Sequence, residues 1–92
     1  MATKPIEESK YGEWTKSDLS AEHQGIVQNE SSPGIRIYIY FSATEPTEDA
    51  GIVLGCVNGD RWKPCTVQDG EFLWHRATRP LQDYEFAGIR LG

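Results

Sequence analysis

Ninety-two residues, 38% apolar and 25% charged, make one small domain, because a second core does not fit in a chain of this length. Fourteen Asp and Glu against nine Lys and Arg give a net charge of −5, the wrong sign for nonspecific binding to nucleic acid or an anionic membrane. The longest apolar run, Ile37 to Phe41, is far too short to cross a bilayer, and residues 1–8 lack the apolar stretch of a signal peptide, so a soluble, non-secreted chain is expected.

Residues 1–24 read as an N-terminal arm. Their only sizeable apolar side chains are Ile6, Tyr11, Trp14 and Leu19, and the whole net charge of −5 falls in residues 1–50. Ser17 can cap a short helix over residues 18–24, with Gly25 as its left-handed stop. Two turns with one large apolar residue do not hold in water, so this helix is expected only when docked.

From residue 25 to 92 the apolar residues gather into short dense runs, the body of the domain. A first strand, Gly25 to Asn29, leads through the turn cluster Glu30-Ser31-Ser32-Pro33-Gly34 into Ile35-Arg36-Ile37-Tyr38-Ile39-Tyr40-Phe41. Period two puts Ile35, Ile37, Ile39 and Phe41 on one face and Arg36, Tyr38 and Tyr40 on the other. Ile52 to Val57 follows, uniformly apolar and expected to be buried on both faces. Asn58-Gly59 fits a tight hairpin turn into Trp62 to Val67, where Pro64 demands an edge or a strand start. Asp69-Gly70 turns the chain into Phe72 to Ala77, and Arg79-Pro80 ends that strand. In the last segment, Tyr84 to Leu91, a bulge at Ala87-Gly88 would bring Tyr84, Phe86, Ile89 and Leu91 to one face. The sum is all-β: a small antiparallel β-sandwich or barrel of about six strands with an extended N-terminal arm.

Chemistry-bearing residues are few. Cys56, Cys65 and His75 follow C-x8-C-x9-H, which matches no compact zinc spacing, and no metal or other cofactor is expected. Packed, reduced thiols are the leading reading of the two cysteines. A wide hairpin loop centred on Asp60-Arg61 would instead bring them opposite each other within bridging distance, and a tight Asn58-Gly59 turn would not. No G-x-S-x-G, glycine-rich phosphate loop or paired thiol and imidazole is present, so no catalytic residue is assigned and the chain reads as a non-enzyme. His75, set between Trp74 and Arg76, reads as a partly exposed surface histidine, and Asp18 with Glu22 as a solvated face.

Aromatic residues say more. Tyr38 and Tyr40 line the second face of the best strand, Trp62 sits near an edge, and Tyr11 and Trp14 stand in a polar arm with Leu19. These six are the candidate interface residues. Tyr11 and Trp14 either cover the body of their own subunit or anchor the arm on a neighbour. Four apolar anchors do not repay the ordering of some twenty residues at about 1–2 kcal/mol each, so the arm is expected to be ordered only in an assembly.

From Gln28 on, the chain resembles small bacteriophage virion proteins. The matching segments are Val27-Gln28-Asn29-Glu30-Ser31, Ile35-Arg36-Ile37-Tyr38, Ser42-Ala43-Thr44-Glu45-Pro46, Gly51-Ile52-Val53-Leu54 and Asp69-Gly70-Glu71-Phe72-Leu73-Trp74-His75-Arg76-Ala77. Two cysteines and the Arg61-Trp62-Lys63-Pro64 segment depart from that pattern. The resemblance implies a small β-sandwich on a phage head or tail: a capsid decoration or stabilising subunit, or a small tail component. Its partners would be copies of itself, as a trimer or other homo-oligomer, and a major capsid or tail protein, with no nucleic acid and no membrane. It would be made in the host bacterial cytoplasm and end in the virion. A rival reading is a small acidic phage inhibitor that offers Glu45, Glu48, Asp49 and the arm carboxylates to a nucleic-acid-binding host enzyme.

Overall fold

The computed structural model describes residues 6–17, 24–47, 51–56, 60–68 and 70–91. Within them lie eight strands and no helix: β1 (Glu7–Glu8), β2 (Thr15–Lys16), β3 (Gln24–Asn29), β4 (Ile37–Ser42), β5 (Ile52–Leu54), β6 (Trp62–Thr66), β7 (Phe72–Ala77) and β8 (Gly88–Leu91). They form two four-stranded antiparallel sheets, a first ordered β1-β8-β3-β6 and a second ordered β2-β7-β4-β5. The pairs nest, with β1 on β8, β2 on β7, β3 on β6 and β4 on β5. An antiparallel ribbon folded over on itself in this way has the strand order of a jelly roll.

The two sheets share one apolar core. Val27, Cys65, Ile89 and Leu91 enter it from the first sheet, and Ile37, Ile39, Leu54, Leu73 and Ala77 from the second. Alternation decides which side chains these are: Ile35, Ile37 and Ile39 are buried as their period requires, and Phe41 packs at the margin. Burying each aliphatic side chain stabilises the fold by about 1.5–3 kcal/mol. Turn chemistry closes the ends, with Gly34 and Gly70 both in the left-handed region at φ 84° and 85°. Asn29, wholly inside, holds one end: its amide donates to the Ile35 and Gly55 carbonyls, and its side-chain oxygen accepts from the Ser31 amide.

Three expectations change, and a fourth lies mostly outside the described residues. The strand count is eight rather than about six, because the arm itself supplies β1 and β2. The 18–24 helix falls mostly outside the described residues, and Gln24 opens β3. Ile52 to Val57 is not a doubly buried strand. Within it the strand is the three-residue edge strand β5, with Ile52 47% exposed. β5 also pairs with β4 while β6 pairs with β3 in the other sheet, so they form no hairpin in either register and no ladder brings Cys56 opposite Cys65. Asn58-Gly59 itself lies outside the described residues.

The last segment is corrected as well. Ala87, Ile89 and Leu91 go inward without a bulge, whereas Tyr84 is 85% exposed and precedes the strand. A local turn holds residues 82–85 out: the Glu85 amide donates to the Gln82 carbonyl, and the Glu85 carboxylate accepts from the Gln82 amide and the Arg79 guanidinium. Pro64 stands in the edge strand β6, opposite Ile26.

Candidate interaction surfaces

The second sheet turns Tyr38 and Tyr40 outward from β4 and Phe72, Trp74 and Arg76 outward from β7, with Tyr38 opposite Arg76 and Tyr40 opposite Trp74. Leu73, His75 and Ala77 point into the molecule, and His75 is completely buried rather than partly exposed. Phe72 and Trp74 resemble a core pair, but the arm, not the core, covers them.

Residues 6–17 cross from the edge of the first sheet, where β1 pairs with β8, to the edge of the second, where β2 pairs with β7. Trp14 is laid on the outer face and left 8% exposed, its ring meeting Tyr40 edge-on at 6.0 Å. The Arg76 guanidinium lies 5.5 Å from the Trp14 ring centre and 6.0 Å from that of Tyr11, and Lys16 Nζ lies 4.5 Å above Phe72. Each such cation–π contact contributes about 0.5–2 kcal/mol, the most where water is excluded.

One glycine admits the arm. A Cβ at Gly88 would stand 2.8 Å from the Glu7 carbonyl oxygen. The described arm lies along its own chain, and Trp14 contacts its own subunit. Two sheet edges and a polar cluster supply what four apolar anchors could not.

That polar cluster is the chief feature the sequence reading missed. His75 Nδ1 lies 2.5 Å from Ser9 Oγ, Nε2 lies 3.3 Å from Glu7 Oε1, and Ser17 Oγ donates to Glu7 Oε2 at 3.1 Å. Serine, histidine and glutamate in a row are the ingredients of a nucleophilic triad, but here Ser9 and His75 are both buried. The arrangement holds the arm to the body. The available signal was a histidine between Leu73 and Ala77 at period two.

The first sheet presents a different outer face. Ile26 lies opposite Pro64, and Gln28 lies between Trp62 and Arg90 in register. Trp62 is 49% exposed, with Ile26 and Pro64 also open to solvent, while Arg90 pairs with Glu30 at 3.0 Å.

Elsewhere the chemistry is sparse. Cys65 is buried and Cys56 half-buried, both as free thiols, and desolvation pushes the Cys65 thiol up, away from the reactive thiolate. Among the described residues no three His, Cys, Asp or Glu side chains converge. Two cavities open at the surface, one of about 270 Å³ beside Tyr40 and Ile52 and one of about 170 Å³ beside Asn29 and Arg61. Of the six candidate interface residues, Trp14 is buried, Tyr38 and Tyr40 are half-buried, Tyr11 and Trp62 are exposed, and Leu19 lies outside the described residues. No known protein family, curated protein or solved structure matches the chain.

Proposed function

We propose that the chain is a structural protein of a bacteriophage virion, a capsid decoration or stabilising subunit or a small tail component, acting through protein–protein contacts. The observation that carries the proposal is the asymmetry of the two outer faces. One is covered by the chain's own arm, and the other leaves Trp62, Ile26 and Pro64 in the open. An exposed tryptophan with aliphatic neighbours on a rigid sheet is the kind of anchor that dominates a protein interface.

The jelly-roll order supports the same reading by analogy, being used by viral capsid domains as well as by lectins and cupins. The sealed Ser9–His75–Glu7 cluster and the shallow cavities favour contact over catalysis. On this reading the partners are copies of the chain and a major capsid or tail protein, and the site of action is the particle. The inhibitor reading needs Glu45, Glu48, Asp49 and the arm acids in a regular outward stripe. Glu7 instead faces His75, Glu13 stays exposed beside Lys10, and Glu48 and Asp49 lie outside the described residues.

Mass spectrometry of gradient-purified particles, with the solution mass of the isolated protein, tests the proposal. Stoichiometric presence in particles and a homo-oligomer are expected. Abundance in infected cells with absence from particles would overturn it.

A further inference from the structure

Resting on the open-face reading above, we propose that the outer face of the first sheet closes against the same face of a second copy. The pair is isologous, with its twofold axis running along β3 through Ile26 and Gln28.

Charge selects the occupant. Ile26, Gln28, Trp62, Pro64 and Thr66 share this face by register, and none of them is charged. Beyond them Arg90 and Glu30 neutralise each other at 3.0 Å. The whole chain carries −5, so a second copy meets the least repulsion here, while a strongly basic or acidic partner finds no matching charge. The contact is made by the face and not by the edge. At the edge strand β6, Pro64 has no N–H to offer an added strand, and Lys63 beside it brings a charge.

Register supplies the geometry. Gln28 stands between Trp62 on one side and Arg90 on the other. A twofold axis along β3 exchanges the positions of β6 and β8, so each Trp62 lands on the Arg90 of the other copy. A guanidinium donates within its plane, as Arg90 does to Glu30, and an aromatic ring stacks on the face of that plane. The chain makes the same kind of contact internally, with Arg76 5.5 Å from the Trp14 ring centre. On the axis Ile26 meets Ile26, and Gln28, whose amide both donates and accepts, meets Gln28. β1, with its exposed Glu8, lies two strands from β3, falls outside the overlap and stays in water. Stable interfaces start at roughly 600 Å² from each partner, so a three-strand overlap makes a small interface and a pair that dissociates on dilution.

Sedimentation of the full chain at about 100 μM tests the pairing, and a dimer is expected. Ile26→Glu and Ile26→Lys each set two like charges face to face and should weaken the dimer about tenfold or more. An equimolar mixture of the two variants should restore it, as only a residue that meets its own twin allows. Arg90→Lys keeps the charge and loses the stacking plane. It should weaken the dimer about threefold in the wild type and not at all beside Trp62→Ser. Monomer at that concentration, a trimer, or an unrestored mixture of folded variants would overturn the proposal. If circular dichroism shows either Ile26 variant unfolded, the Trp62 and Arg90 cycle decides, and additive losses there would contradict the contact. Dimers in solution with no copies in purified particles would keep the pair and remove the virion reading. Copies in particles with a monomer in solution would do the reverse.

Discussion

The outer faces of the two sheets are built from similar side chains and treated differently. On the second sheet, Tyr40, Trp74 and Arg76 would form an exposed aromatic surface if the chain began at β3, and Trp14 and Lys16 close over it. On the first sheet, Trp62, Ile26 and Pro64 have no such cover among the described residues. A surface that the chain seals contributes to its own stability. A surface left open on an otherwise charged molecule is available to a neighbour.

The largest expected consequence lies on the sealed face. Trp14→Ala removes a buried indole with its Tyr40 and Arg76 contacts and should cost about 3–5 kcal/mol in urea denaturation. A loss below about 1 kcal/mol would mean the arm is not part of the folded unit.

Gly88→Ala should come next. It places a methyl against the Glu7 backbone and the Phe86 ring, and overpacking of that kind costs about 1–3 kcal/mol. Because β1 rests on Gly88, the loss should appear with proteolytic sensitivity in residues 6–17 greater than that of the wild type. Uniform destabilisation without that sensitivity would argue against a separately detachable arm.

Trp62→Ser sharpens the contrast from the other side. Half-exposed and at an edge, Trp62 should contribute within about 0.5 kcal/mol to the stability of the isolated chain, yet the substitution should weaken self-association measured by sedimentation. A folding defect as large as that of Trp14→Ala would make the two faces equivalent.

The smallest effect belongs to the Arg79–Glu85 clasp beside β8. The hydrogen bonds from Arg79 hold the Glu85 carboxyl down to about 2, with help from the Gln82 amide, from an ordinary value of 4.5. Its folded-state affinity for protons is depressed, so its contribution is present above the ordinary carboxylate range and is lost as pH falls toward about 2. Urea midpoints of wild type and Glu85→Gln should therefore differ slightly at neutral pH and converge as the pH approaches that value.

Much of the fold was legible because its strands obey simple rules. Ile35, Ile37 and Ile39 alternate cleanly, Gly34 and Gly70 mark turns, and Pro64 announces an edge. What stayed hidden depends on which strand lies next to which. Ile52-Val53 looks like a core strand until β5 proves to be an edge. Phe72 and Trp74 look like a core pair, yet both lie on the outer face, where Lys16 of the arm covers Phe72. His75 reads as a surface residue because its partners, Ser9 and Glu7, are more than sixty residues away in sequence. Parity within one strand cannot say which face meets the core; Ala77, small and opposite the buried Ile37, carried that information in this chain.

The most direct test of the central claim is hydroxyl-radical footprinting of the dilute protein against its assembled form. Protection should be gained at Ile26, Pro64 and Trp62, while Trp14, Tyr40 and Trp74 should be protected to the same degree in both states. Protection gained at Trp14, Tyr40 and Trp74 on assembly, with Trp62 unchanged, would contradict the assignment of the sealed and open faces.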